Sequence, residues 1–190
     1  MPKKPDRTYA GHKANWSGCT KCELSKCRSK VVLARGVIPA DVLILGEAPG
    51  QSEDVLGKPF IGNAGKLFDD IIEQAEEMSS QRAKLFTNLV ACIPRDGEKG
   101  RAYKVTEPPK ESIEACGPRL QELVKLANPR AIIMVGKLSQ KWGPKIIDHD
   151  FEYSLDIIHP AALLRMDISQ QGLAIQRTTV QIRDLFEKLN

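Results

Sequence analysis

The sequence predicts an α/β fold of three layers, α/β/α, around a central four-stranded parallel sheet. Three observations predict it. Short apolar runs with little polar alternation recur along the chain, as expected of strands buried on both faces. Amphipathic helical stretches separate them. Each run closes on Gly, Pro or His-Pro, so every strand ends in a loop, and parallel strands then need helical crossovers.

Taken in order, Ala40–Leu45 (ADVLIL) is the first strand, closed by Gly46 and Pro49. Gly65–Glu77 carries Leu67, Phe68, Ile71, Ile72 and Ala75 as one helical stripe. Leu85–Val90 (LFTNLV) is the second strand and runs into Cys92 and Pro94. Thr106, Pro108 and Pro109 precede a second amphipathic helix, Glu111–Ala127, and suit a helix start. Ala131–Val135 is the third strand, closed by Gly136, and Tyr153–Ile158 is the fourth, closed by His159-Pro160. A last helix begins at Ile168 or Gly172 and ends at Leu189. No internal repeat, low-complexity tract or interdomain linker is visible, so residues 1–190 are expected to form a single domain.

Composition excludes several classes. Hydrophobic residues make up 42% and charged residues 27% of the 190, ordinary globular usage. The longest clearly apolar stretch, Ala131–Val135, is far short of the roughly 20 residues a membrane helix needs. The basic start MPKKPDR has no apolar region behind it, which predicts a chain without a secretory signal that stays in the cytoplasm. The net charge of +4 is unevenly spread: residues 1–30 hold eight Lys/Arg against Asp6 and Glu23, a net +6. Such a segment suits contact with a polyanion, or serves as a solvated tail.

Five cysteines (Cys19, Cys22, Cys27, Cys92 and Cys116) are an odd number for a disulfide framework. Metal, cluster and inert thiols remain. Cys19-x-x-Cys22 can bring two thiolates to one centre, though redox pairs share that spacing.

Ligands of open α/β sheets bind beyond the carboxyl ends of the strands. Glu47, Ala48, Glu53 and Phe60 follow the first strand, Asn88 lies near the end of the second, and His159 follows the fourth. Each alone has an ordinary structural explanation: a tight turn, a capped loop, a core ring. Their convergence on one rim predicts a site.

At this point the residues resemble a known family. GEAPGQSEDVLGKPFIGNAGKLFDDII is similar to the first motif block of the family 4, iron–sulfur type uracil-DNA glycosylases. TNLVAC and EPPKESIEACGPRLQELVKLANPRAIIMVGK resemble the middle block, IIHPAALLR the His-Pro motif, and CTKCEL the first cysteine pair. The resemblance runs in order from Cys19 to the C-terminus. It implies a uracil-DNA glycosylase-like fold and hydrolysis of the N-glycosidic bond of uracil in DNA, with the strand left intact. It further implies a [4Fe-4S] cluster on Cys19, Cys22, Cys92 and Cys116, with Cys27 an ordinary thiol and zinc as the alternative occupant.

By that resemblance Phe60 stacks on a base rotated out of the DNA, Asn88 reads it, and Ala48 sets its backbone against it. His159 stabilises the leaving anion, while Glu47 or Glu53 places the attacking water; sequence does not rank the two carboxylates. Leu164 and Arg165 are expected to meet the DNA minor groove, although AALL also suits a helix start on the core. DNA is the expected partner of a monomer that needs no membrane. Two other readings stay open: a glycosylase for another base (hypoxanthine, a 5-substituted uracil or a modified cytosine), and a catalytically silent DNA-binding module. The chain departs from the family pattern between Cys92 and Cys116, where RDGEKGRAYKV replaces a recognisable Asn-Arg-x-Pro stretch. Arg95, Lys99, Arg101 and Lys104 make this insertion cationic, with Tyr103 available to stack, so it is read either as phosphate-binding or as flexible.

Overall fold

The computed structural model describes residues 8–96 and 103–190. Five strands form one sheet: β1 (Arg35–Gly36), β2 (Val42–Gly46), β3 (Lys84–Asn88), β4 (Ala131–Val135) and β5 (Tyr153–Ile157), in the order β1-β3-β2-β4-β5. The four predicted strands are parallel, and the two-residue β1 adds an antiparallel edge beside β3. So short a strand leaves no periodic signal, which is why the sequence reading lacks it.

Side-chain alternation along β2 shows why its apolar run is unbroken. Leu43 and Leu45 enter one core with Leu120, Leu123 and Val124 of α4 (Lys110–Ala127). Val42 and Ile44 enter a second core on the opposite face with Phe68, Ile71 and Ile72 of α3 (Asn63–Glu77) and Ile182, Leu185 and Phe186 of α7 (Ile168–Lys188). Both faces are buried, as parallel sheets require. No helix among the described residues is long and apolar enough to cross a membrane.

Four helical pieces escape the sequence reading: α1 (Tyr9–Trp16), a 3-10 turn over Glu23–Lys26, α2 (Gln51–Leu56) and α5 (Lys137–Ile146). The first lies in the basic segment. Its Thr8 cap accepts from the Gly11 N–H, and His12 and Trp16 pin it to Glu122 of α4 at 2.9 Å each. Polar bonds hold this helix in place of an apolar stripe, so periodicity could not reveal it. In α5, Gly143-Pro144 reads as a break, yet a Pro in the last turn removes a single backbone donor. A short α6 (Pro160–Leu163) follows β5, with His159 as its cap.

Candidate active site

The carboxyl ends of the parallel strands open onto a cleft of about 490 Å³ whose walls include Glu47, Ala48, Glu53, Phe60, Asn88, His159 and Arg165. Register explains the meeting of amide and ring. Gly46 at the end of β2 pairs with Asn88 at the end of β3. A Cβ at Gly46 would stand 2.3 Å from Asn88 Oδ1 and 2.6 Å from Phe60 Cζ, so only glycine lets both groups approach. Phe60 has φ 56°, a left-handed backbone that is strained for a bulky residue. Its ring is held by Phe86 and Phe68, with centroids at 5.6 and 5.9 Å. The ring is thus a core residue that also walls the cleft.

The two carboxylates are told apart by their partners. Glu53 accepts from three backbone N–H groups: Gly50 at 3.1 Å on Oε2, and Ile61 and Gly62 at 3.0 and 2.8 Å on Oε1. Both of its oxygens therefore hold the loop from Gly50 to Gly62. Glu47 accepts one backbone bond, from Leu138 N–H in the first turn of α5 at 3.0 Å, and no other hydrogen bond reaches its carboxylate among the described residues. Gly136, at φ 94°, lies between Glu47 and His159; a Cβ there would sit 2.5 Å from Glu47 Oε1 and 3.2 Å from His159 Cβ.

His159 Nδ1 accepts from the Ala161 N–H at 3.1 Å. An accepting Nδ1 carries no proton, which places the proton of the neutral ring on Nε2. Burial pushes this imidazole below its ordinary pKa; Glu47 opposes that shift, Arg165 adds to it and Glu53 opposes it. The ring is a neutral Nε2–H donor at pH 7. Arg165 and Leu164 follow α6 and are exposed. Arg165 reaches the cleft wall, whereas Leu164, 45% exposed, is not part of it.

A second, apolar cavity of about 20 Å³ is lined by Cys19, Cys22, Cys92 and Cys116, together with Trp16, Arg28 and Arg119. The fold thus brings the four expected cysteines to one place, and Cys27 is not in that lining. Arg28 Nη1 donates to Cys92 Sγ at 3.6 Å. Burial pushes the Cys92 thiol up to about 12, and the Arg28 charge acts against that shift. Among the described residues, no three His, Cys, Asp or Glu side chains form a group that could hold a metal ion.

The sequence pattern described as the Uracil DNA glycosylase superfamily matches residues 34–180. The chain belongs to this superfamily. As a uracil-DNA glycosylase superfamily member it is similar to the type-4 uracil-DNA glycosylase of Pyrobaculum aerophilum, at 38% identity over 124 residues, 65% of this chain and 58% of that one. It is similar to the type-4 enzymes of Saccharolobus solfataricus (36% over 124 residues, 65% of this chain and 53% of the other) and Archaeoglobus fulgidus (30% over 134 residues, 70% and 62%). The chain spans about half to three fifths of the length of these curated relatives.

Three features of this superfamily member were missed in the sequence. Asp54, 1% exposed, accepts from Ser29 N–H at 2.8 and 3.0 Å, and ties the basic segment to the loop below the cleft. The segment at the end of the insertion and just beyond it, Val105–Pro108, forms one wall of the cleft. It is held by Thr106 N–H donating to the Pro94 carbonyl at 3.0 Å and by a bridge between Arg95 and Val105. The Arg95 guanidinium lies over the Tyr103 ring, 4.2 Å from its centroid, so one face of that ring is already occupied. Lys99 and Arg101 lie outside the described residues, as do Lys3, Lys4 and Arg7. The third feature is Arg119, 1% exposed on α4.

Proposed function

We propose that the chain is a monofunctional DNA glycosylase that hydrolyses the N-glycosidic bond of uracil in DNA and leaves an abasic site. One observation carries the reading: Glu47, Phe60, Asn88 and His159 share a cleft of about 490 Å³ at the carboxyl ends of the strands. That chemistry matches the activity for which the type-4 uracil-DNA glycosylase relatives are named. A base inside a duplex is out of reach, so the nucleotide rotates into the cleft.

There Phe60 stacks on the base, and Ala48 lies against it. Asn88 accepts from uracil N3–H through Oδ1 and donates to O4 through Nδ2. Cytosine presents the opposite pattern, which would leave buried groups unpaired. As the N1–C1′ bond breaks, charge gathers on the base, and His159 Nε2–H donates to O2, where that charge develops. Glu47, with its second oxygen uncommitted, orients the attacking water and faces the cationic sugar; Glu53 holds the loop that carries Phe60. Arg165 and the exposed Leu164 meet the DNA. Among the described residues that line the cleft no lysine offers an amine for a covalent sugar adduct, which supports hydrolysis that leaves the strand intact.

The cysteine cavity has the donor chemistry of a thiolate-bound cluster: four cysteines line one apolar space, with Arg28 and Lys21 beside it to offset thiolate charge, although no three of them group around a single metal ion. Cys19, Cys22, Cys92 and Cys116 would hold a [4Fe-4S] cluster, with zinc the lesser alternative. When bound, the group supplies metal–thiolate bonds that tie the N-terminal segment to the body. The working unit is a monomer acting on DNA in the cytoplasm.

One observation favours a second reading, excision of another base. Among the described residues no hydrogen bond fixes the rotation of the Asn88 amide, and the reversed amide suits the opposite pattern. A uracil-containing oligonucleotide treated with the protein and then alkali tests the proposal. Breaks at uracil, lost in Asn88→Ala, are expected; strands that stay intact with the wild type refute it.

A further inference from the structure

Beneath the cleft lies an arginine to which neither the base nor the DNA gives a role. Arg119, on α4, is 1% exposed. Its Nη1 donates to Thr87 Oγ1 at 2.8 Å, and its Nη2 donates to the Asn88 and Leu89 carbonyls at 2.5 and 3.0 Å. Thr87 Oγ1 in turn donates to the Leu33 carbonyl at 2.7 Å. The fork therefore fixes the last residues of β3, the strand end that carries Asn88.

Arg119 also lines the four-cysteine cavity. Its Nε is buried with no acceptor, and among the described residues it makes no ion pair. Glu122, three residues further along α4, gives its two oxygens to His12 Nδ1 and Trp16 Nε1. A guanidinium stays ionised at every working pH, and a buried cation without a counter-charge is strongly disfavoured. Carbonyl oxygens solvate it but do not neutralise it. Four thiolates around a metal group carry net negative charge, and they border the same cavity.

We infer that Arg119 is a positioning residue that joins the two sites: its Nη atoms hold the Asn88 end of β3, and its charge balances the thiolate-bound group in the cysteine cavity. The inference rests on the proposed reading of the chain as a uracil glycosylase with that cavity filled. It gives the group a consequence for base reading without contact with the base. Groups that orient ligands from outside a metal's own ligand set commonly change affinity or activity about 10–100-fold when removed.

The test uses metal-loaded protein and three chains: wild type, Arg119→Lys and Arg119→Met. Uracil release gives kcat and KM, and the half-time of metal loss to a chelator is read from the visible or metal signal. Arg119→Lys keeps the charge but cannot span the three acceptors. It is expected to lose kcat about tenfold or more, with KM nearly unchanged and metal retention near wild type. Arg119→Met loses both functions, so its metal loss is also faster by about tenfold or more. Arg119→Lys with wild-type kcat overturns the clamp, and Arg119→Met that holds metal as long as wild type overturns the charge role. Should Arg119→Met fail to fold, Thr87→Val replaces it, and a lowered kcat with unchanged metal retention is expected; wild-type kcat there overturns the clamp. A wild type that is inert and metal-free fails the parent reading, an outcome distinct from an active, loaded wild type with indifferent variants.

Discussion

Exchanging each cleft carboxylate for its amide separates Glu47 from Glu53. In Glu53→Gln one oxygen can still serve Ile61 and Gly62, but the new NH₂ group meets the Gly50 N–H, donor against donor. One charge-assisted bond is lost and the others weaken, a cost of about 1.5–3 kcal/mol. For a chain of this size that is a fall in Tm of roughly 3–12 °C, at about 2–4 °C per kcal/mol. Glu47→Gln keeps an oxygen for the Leu138 N–H, its one backbone bond, so Tm should move by less than about 2 °C. Its kcat should fall about 10²–10⁴-fold, the usual contribution of a positioned acid or base. Thermal unfolding and single-turnover uracil release, run on both variants, give the four numbers. The reverse pattern, with Glu53→Gln inert at unchanged Tm and Glu47→Gln active, would refute the division of roles.

His159 predicts the acid limb of the pH profile. Burial lowers its pKa, so Nδ1 keeps accepting from the Ala161 N–H below the ordinary 6.5, and kcat should fall only at lower pH, where protonation of Nδ1 breaks that bond and turns the ring; an acid inflection above 6.5 contradicts the assignment. The same shift means the unfolded chain takes up the proton first, so this group costs stability as pH falls from about 6.5 towards the folded pKa, which denaturant titrations would show. Gly46→Ala puts a Cβ 2.3 Å from Asn88 Oδ1 and 2.6 Å from Phe60 Cζ, and should destabilise by about 1–3 kcal/mol while reducing kcat/KM; wild-type kinetics would show that the amide does not read the base. Cys22→Ser should lose the colour of the loaded protein and free α1 from protection against proteolysis; an unchanged spectrum would remove Cys22 from the ligand set.

The parts of this fold that were legible share one property: their signal is local. Buried strands on both faces show as unbroken apolar runs, and the carboxyl ends of β2, β3 and β5 place Glu47, Asn88 and His159 on one rim by topology alone. Illegible features depend on partners far along the chain. Arg119 stands in an amphipathic helix where an arginine normally faces water, and its three acceptors lie about thirty residues away. The carboxylates Glu47 and Glu53 could not be ranked, because the difference lies in which backbone N–H groups the loop presents. The Val105–Pro108 wall follows an insertion of polar and glycine residues, where periodicity carries no information. Likewise α1 is fixed by Glu122, more than a hundred residues away.

The central claim is that one cleft reads a rotated uracil through Asn88 and releases it through His159. DNA carrying uracil, hypoxanthine and 5-substituted uracil in separate strands is incubated with the protein, and the freed bases are identified by mass spectrometry. Uracil should appear from wild type, with the phosphodiester backbone whole until alkali is added, and should vanish with Asn88→Ala. Release of hypoxanthine in its place, or of no base at all, would contradict the account.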